Sequence, residues 1–255
     1  AALFSQSAVA DVLNIATASN FRPVLERLSE AFTQQYRPQP LNSDDLHPQI
    51  SISSASSGVL YAQILQGAPF DLFYSANTSY PEKLVASGHG MADTLSTYAV
   101  GQLILVSRYK NDDLEVVTPQ NVLSKAKRIA IANPRTAPYG MAANEALESL
   151  GVAKESQPKL VVGNNIAQAW QFFHSGNADV AIIATSLIGP ANQKELLTID
   201  LSSYLKHPVR QSRVAIKPMS SLAQEFLDFM NTPFAEKIIL DGGYLLPVNS
   251  MNLHQ

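Results

Sequence analysis

Cysteine is absent from this 255-residue chain, and charged residues are scarce. The first absence excludes a disulfide framework, a thiolate metal site and a cysteine nucleophile. Charged residues make up 15% of the chain and the formal net charge is −3, so the basic excess that holds nucleic acid or an anionic membrane surface is missing. No uninterrupted apolar run approaches the roughly 18 residues of a membrane-spanning helix. We therefore expect neither nucleic-acid binding nor membrane insertion.

Motifs of the common catalytic and nucleotide-binding sites are also missing. The chain has no G-x-S-x-G turn, no P-loop and no dinucleotide-binding glycine pattern. A hydrolase or transferase needs a nucleophile beside an oriented base, and no histidine lies near the polar turns described below. The sequence therefore predicts a binding protein rather than an enzyme, and an α/β hydrolase or transferase is the alternative from another class.

The N-terminal segment predicts export. Ala8-Val9-Ala10 has the A-x-A pattern of a signal-peptidase site, after a short stretch of apolar and small residues. We expect residues 1–10 to be the remnant of a signal peptide cleaved near Ala10.

Short strands and amphipathic helices alternate along the remaining chain. Hydrophobic residues make up 46% of the sequence, enough for a sizeable core. Strands are predicted at 12–16, 50–54, 70–74, 99–106, 128–132, 160–162, 178–184 and 214–216, with helical spacing between them. This pattern predicts two doubly wound α/β lobes. We expect residues 11–97 with 213–255 in the first lobe and 98–212 in the second, joined by a two-stranded hinge.

Small polar residues and glycine stand at three predicted strand-to-helix junctions. These are Ser19-Asn20, Ser56-Ser57-Gly58 and Pro138-Tyr139-Gly140, and Asn164-Asn165 precedes a further helix. A helix start exposes free N–H groups and carries roughly half a positive charge, so such junctions attract anions without lysine or arginine. Each one alone is better explained as an ordinary helix cap, since serine and asparagine are the usual caps of any helix. Their recurrence in both predicted lobes favours an anion site.

The same segments carry a resemblance that covers residues 12–247. The matching segments are Ala16-Thr17-Ala18-Ser19-Asn20-Phe21, Ser53-Ser54-Ala55-Ser56-Ser57-Gly58, Ala62-Gln63-Ile64, Gly67-Ala68-Pro69, Asn133-Pro134, Ala137-Pro138-Tyr139-Gly140, Asn164-Asn165-Ile166, Ala178-Asp179 and Gly243-Tyr244. In these the chain resembles the periplasmic molybdate-binding proteins of ABC importers, which belong to the two-lobed (type II) periplasmic solute-binding class.

The resemblance implies a dehydrated molybdate or tungstate dianion held by neutral donors. Carried over by position, Ser19 would donate from its hydroxyl, with a neighbouring N–H and Asn20 beside it. Ser57 would donate its hydroxyl and N–H. The second lobe would contribute the backbone N–H groups of Tyr139 and Ile166. The oxyanion is the ligand and has no direct protein ligand to its metal, and no cofactor is expected.

The resemblance also implies partners and leaves one contact open. Some family members use a tyrosine hydroxyl at the position of Ala184, so that contact cannot exist here. We expect a periplasmic monomer that delivers its oxyanion to a membrane ABC permease. Sulfate or another tetrahedral oxyanion is the alternative ligand, because rejection by size depends on a cavity that the sequence does not define.

Overall fold

The fold consists of two α/β units that are described here from a computed structural model of residues 12–36, 48–189 and 195–247. The predicted signal-peptide remnant lies outside the described residues. The strands are β1 Val12–Ala18, β2 Gln49–Ala55, β3 Leu72–Ser75, β4 Ser96–Gly101, β5 Leu103–Ser107, β6 Ile129–Ala132, β7 Leu160–Gly163, β8 Val180–Ala184, β9 Leu197–Asp200 and β10 Val209–Ala215. The α-helices are α1 Arg22–Ala31, α2 Ser57–Leu65, α3 Ser79–Ala86, α4 Pro119–Lys125, α5 Pro138–Ser149, α6 Ala153–Ser156, α7 Ile166–His174, α8 Ser221–Met230 and α9 Pro233–Asp241.

The two five-stranded sheets share one plan. The strand order is β2-β1-β3-β10-β4 in the first sheet and β7-β6-β8-β5-β9 in the second. In each sheet three neighbouring strands run parallel, and the fourth, β10 or β5, pairs antiparallel on both of its sides. We call the units built on these sheets the first and second lobes. The predicted two-lobed α/β class is confirmed, with mixed rather than wholly parallel sheets.

The chain passes between the sheets at two places. Gly101 pairs with Val209 in the first sheet, whereas Leu103 pairs with Ala184 in the second. The predicted single strand 99–106 is therefore wrong, because Gln102 separates two strands of different sheets. The four-residue strand β9 was not predicted, since its alternate residues are exposed at a sheet edge.

The sheet pairing bears on the predicted lobe boundaries. Residues 98–101 and 209–212, expected in the second lobe, pair within the first sheet. The division at 97/98 and 212/213 stays a prediction, and the pairing favours crossings at Gln102 and between β9 and β10.

A cluster of aromatic residues packs against the end of β1 and the start of α1. Phe21 is fully buried, and its ring centroid lies 5.7 Å from that of Tyr74, 4.6 Å from Tyr98 and 5.5 Å from Tyr244. Burial of such a ring contributes about 1.5 to 3 kcal/mol. The packing therefore anchors the β1–α1 junction from below.

Candidate functional site

The first junction lies at the carboxyl end of β1. Ser19 and Asn20 follow the strand, and α1 begins two residues later with Pro23 in its first turn, as its missing N–H requires. The Ser19 N–H donates to the Ala55 carbonyl at 3.1 Å, which ties the junction to the end of β2. Ser19 and Asn20 are 6% and 1% exposed, so both polar side chains lie in the interior.

The second junction joins β2 to α2. Ser56 occupies the N-cap position in an extended conformation but makes no capping hydrogen bond. Ser57, the first residue of α2, is fully buried, and its Oγ accepts a hydrogen bond from the Ala76 N–H at 3.0 Å. A serine hydroxyl can accept and donate at once. The Ser57 proton is therefore available to a further acceptor.

Two junctions of the second lobe face these from the other side. Tyr139 is the second residue of α5, and Ile166 is the first residue of α7. The first four N–H groups of an α-helix have no acceptor within the helix. The Asn165 side chain caps α7 by accepting from the Gln168 N–H at 3.0 Å, which leaves the Ile166 N–H for another acceptor.

The four junctions line one small cavity between the lobes. Its lining consists of Ala18, Ser19, Asn20, Ala55, Ser56, Ser57, Ala76, Ala137, Pro138, Tyr139 and Ile166. All the residues predicted to bind the anion are therefore brought together. The cavity is far smaller than the roughly 300 to 1,000 Å³ of pockets for drug-sized organic ligands, so it suits a much smaller guest. None of its lining residues is an acid, a lysine, an arginine or a histidine.

Three polar side-chain atoms of the lining lack a partner. Ser19 Oγ, Asn20 Oδ1 and Ser56 Oγ are buried and make no hydrogen bond within the described part of the chain. Buried polar atoms in folded proteins almost always have a partner. Their concentration around one small cavity indicates a polar guest. Ser56 was not predicted as a binding residue, because the sequence pattern could not separate its role from that of Ser57.

The lobes contact each other around the cavity. The Gly58 N–H in the first lobe donates to the Thr136 carbonyl in the second at 2.9 Å. Ser186, which follows β8, donates from its Oγ to the Asn20 carbonyl at 3.2 Å. A Cβ added at Gly58 would lie 2.9 Å from the Thr136 carbonyl oxygen, so the close approach requires glycine. The described arrangement is therefore a closed one.

Three buried tyrosines at the site, Tyr98, Tyr139 and Tyr244, keep their protons. Burial raises the pKa of Tyr98 and of Tyr139 well above the ordinary value, and the neighbouring Tyr244 hydroxyl raises both further. Burial likewise raises the pKa of Tyr244, against the hydrogen bonds from Ser186 and Asn20. Gln211 joins Tyr98 and Tyr139 through hydrogen bonds of 3.0 Å each. This group was not predicted, since its members are scattered along the sequence.

Other kinds of site find little support in the described residues. Within 12–36, 48–189 and 195–247, no cluster of three or more histidine, aspartate and glutamate side chains could hold a metal ion. In the same ranges, no helix has the length and apolar composition needed to cross a bilayer. Arg22, the arginine next to the first junction, pairs with Glu26 at 2.8 Å on the protein surface.

Comparison with known proteins identifies the family. The model of the bacterial extracellular solute-binding proteins matches residues 13–245. The chain belongs to this family. The molybdate-binding protein ModA of Rhodobacter capsulatus is 35% identical over 235 residues, which cover 90% of this chain and 86% of the relative.

Solved structures support the same relationship. The periplasmic molybdate-binding protein of Azotobacter vinelandii is 33% identical, with a TM-score of 0.79 over 92% of this chain and 99% of that protein. The sulfate-binding protein SubI of Mycobacterium tuberculosis, at 15% identity and a TM-score of 0.70 over 94% of this chain and 88% of SubI, shows the shared fold alone. The resemblance stated from the sequence is confirmed. These relatives are solute-binding proteins, which agrees with the prediction of binding rather than catalysis.

Proposed function

We propose that this protein captures molybdate or tungstate between its two lobes in the periplasm and delivers it to a membrane ABC permease, without catalysis. One observation carries the proposal: a small cavity lined by neutral donors lies between the lobes. The chain is also 33 to 35% identical to proteins named for molybdate binding. A fully ionised oxyanion offers acceptors only, and this lining can supply donors without an acid that would repel it.

The proposed donors come from both lobes. Ser19 and Ser57 donate from their hydroxyls, Asn20 donates from its side chain or N–H, and Tyr139 and Ile166 donate from backbone N–H groups. Hydrogen bonds to a charged partner contribute about 1.5 to 3 kcal/mol each, so five to seven give roughly 8 to 20 kcal/mol before desolvation and closure are subtracted. Micromolar to nanomolar binding needs about 8 to 12 kcal/mol. The donor set is therefore sufficient without a cationic side chain.

Ser56 supplies the contact that Ala184 cannot make. Its Oγ is buried, lines the cavity and has no hydrogen-bond partner within the described residues. We include it as a further donor, in place of the tyrosine hydroxyl that some family members use.

Delivery follows from binding between lobes. An anion that contacts both Ser57 and Tyr139 stabilises the closed arrangement by contacts that an open one lacks. The hydrogen bond from Gly58 to Thr136 forms only when the lobes meet. The closed monomer is then the form that the permease recognises, and release accompanies lobe opening.

Calorimetric titration of ligand-stripped protein tests the proposal. Molybdate and tungstate are expected to bind with micromolar or tighter affinity, and sulfate and phosphate much more weakly. Sulfate is the second candidate because its charge and shape suit the same donors. Strong sulfate binding without molybdate binding would transfer the assignment to sulfate, and binding of an organic solute alone would refute the oxyanion site.

A further inference from the structure

Gln211, in strand β10, connects proposed anion-binding residues of the two lobes. Its side chain is fully buried, and its Oε1 accepts hydrogen bonds from Asn20 Nδ2 and Tyr98 Oη, each at 3.0 Å. Its Nε2 donates to Tyr139 Oη at 3.0 Å. Asn20 and Tyr139 both line the cavity. One amide group therefore links the two sides of the site.

Asn20 leaves an acceptor unsatisfied in this arrangement. Its Nδ2 donates to Gln211 and to Tyr244 Oη, the latter at 2.8 Å. The Tyr244 hydroxyl donates to the Asn20 carbonyl at 2.9 Å, and Ser186 donates to the same oxygen. Asn20 Oδ1 is buried with no partner among the described residues. An acceptor in the lining would repel the oxygens of a bound dianion.

A half-turn of both amides removes this conflict. It exchanges nitrogen and oxygen while the heavy-atom positions stay essentially unchanged. Gln211 Nε2 then donates to Asn20 Oδ1 and to Tyr98, and the Tyr139 hydroxyl donates to Gln211 Oε1. Tyr244 turns its one proton from the Asn20 carbonyl, which keeps Ser186 as its donor, to Asn20 Oδ1. Each contact of the two side-chain amides is kept with its direction reversed, and the hydrogen bond from Tyr244 to the Asn20 carbonyl is given up. Asn20 Nδ2 takes the place of the unpaired oxygen.

The reversed arrangement also uses donors that the first one leaves idle. In the first arrangement Gln211 Nε2 makes one hydrogen bond, and the Tyr139 hydroxyl accepts it. After reversal both N–H groups of Gln211 and the Tyr139 proton have acceptors. Tyr98 can turn its proton to the Ser75 carbonyl, 3.5 Å away. Among the hydrogen-bonding groups of these two side-chain amides, only the Asn20 Nδ2 N–H groups beside the cavity then lack a partner within the described residues.

We propose that the oxyanion-bound protein has both amides in the reversed orientation, with Asn20 Nδ2 donating to the anion and Gln211 as the positioning residue that holds it there. This inference rests on the proposed function. It also bears on selectivity, since Asn20 then presents a donor in place of an acceptor, which favours a fully ionised anion over one that carries a hydroxyl, such as hydrogen phosphate. Gln211 thereby contributes to selectivity although it does not line the cavity.

The substitution Gln211→Glu tests the inference with little change of shape. A carboxylate only accepts, so it holds Asn20 Nδ2 toward residue 211 and leaves Oδ1 facing the anion. Molybdate affinity is expected to fall by roughly ten- to a hundredfold. The new negative charge weakens binding by itself, so the same substitution is also measured in an Asn20→Ala background. There the loss is expected to be roughly tenfold smaller, because no amide remains to be oriented.

Gln211→Met provides a second variant without a charge. It keeps the length of the side chain and removes its hydrogen bonds, so it is expected to weaken molybdate binding in the wild-type background and to have little further effect beside Asn20→Ala. Thermal unfolding checks that each variant folds. Equal losses in both backgrounds for Gln211→Glu and Gln211→Met would overturn the inference, since Gln211 would then not act through Asn20.

Side-chain amide NMR follows the orientation directly. The Asn20 amide signals are identified by their loss in Asn20→Ala, and they are expected to shift strongly when molybdate is added to wild type but not to Gln211→Glu. If the Asn20 signals do not shift in a wild-type protein that binds molybdate, this inference is refuted and the proposed function is not. No molybdate or tungstate binding by the wild type would refute the proposed function and this inference with it.

Discussion

Replacing Ser57 by alanine should weaken both oxyanion binding and the fold. Ser57 is fully buried, and its Oγ accepts from the Ala76 N–H at 3.0 Å while its proton remains for the anion. Loss of a hydrogen bond to a charged guest costs about 1.5 to 3 kcal/mol, or roughly ten- to a hundredfold in Kd. Calorimetric titration with molybdate measures this change.

The same substitution leaves the Ala76 N–H without its acceptor. Ala76 is 1% exposed, so water does not replace the lost oxygen, and an unsatisfied buried donor costs about 1 to 3 kcal/mol of folding stability. For a chain of this size each kcal/mol lowers Tm by about 2 to 4 °C. Thermal unfolding of the ligand-free protein should therefore show a fall of several degrees.

Ser29→Ala is the matched control. Ser29 is a buried serine of α1 whose Oγ has no partner within the described residues, and it does not line the cavity. Its substitution should leave molybdate affinity unchanged. If Ser57→Ala binds molybdate like wild type, the site has been misplaced. If affinity falls but Tm does not, the hydrogen bond to Ala76 has no role in stability.

Four further predictions follow from the cavity and the contacts between the lobes. Ser56→Ala should weaken molybdate binding roughly tenfold with almost no change in Tm, since Ser56 Oγ has no partner in the described chain. If the variant binds molybdate as tightly as wild type, Ser56 does not contact the anion. Gly58→Ala should weaken molybdate binding, because the added Cβ would lie 2.9 Å from the Thr136 carbonyl oxygen and oppose closure of the lobes. Small-angle scattering with molybdate should show a more open molecule than wild type. A variant that becomes as compact as wild type would contradict this prediction. Gly101→Ala should lower stability by about 1 to 3 kcal/mol, since its Cβ would clash with Tyr139 Oη. Tyr139→Phe in that background should restore part of the loss in thermal unfolding. Molybdate affinity should stay constant from about pH 7 to 9, because burial raises the pKa of Tyr139, the titratable residue of the lining, so that it keeps its proton. A tenfold change of Kd measured by calorimetry would indicate that another titrating group acts on the site.

Features that depend on local sequence could be predicted, and features that depend on distant packing could not. The serines after β2 and the asparagines before α7 signal helix starts, and alternation of strands and helices predicts two lobes with such starts at the same sheet edges. Gln211 gave no signal, because it stands in a strand and bonds to Asn20 across 191 positions. The separation of β4 from β5 was missed because Gln102 interrupts an apolar run by a single residue. Such a break is set by strand pairing rather than by local composition.

The location of tungstate in crystals of the protein is the most direct test that neutral donors of both lobes hold the dianion. Anomalous scattering places the tungsten atom without reference to the protein model. We expect it between the Ser19 and Ser57 hydroxyls and the backbone nitrogens of Tyr139 and Ile166. Tungsten found elsewhere, or surrounded chiefly by lysine and arginine side chains, would contradict the account.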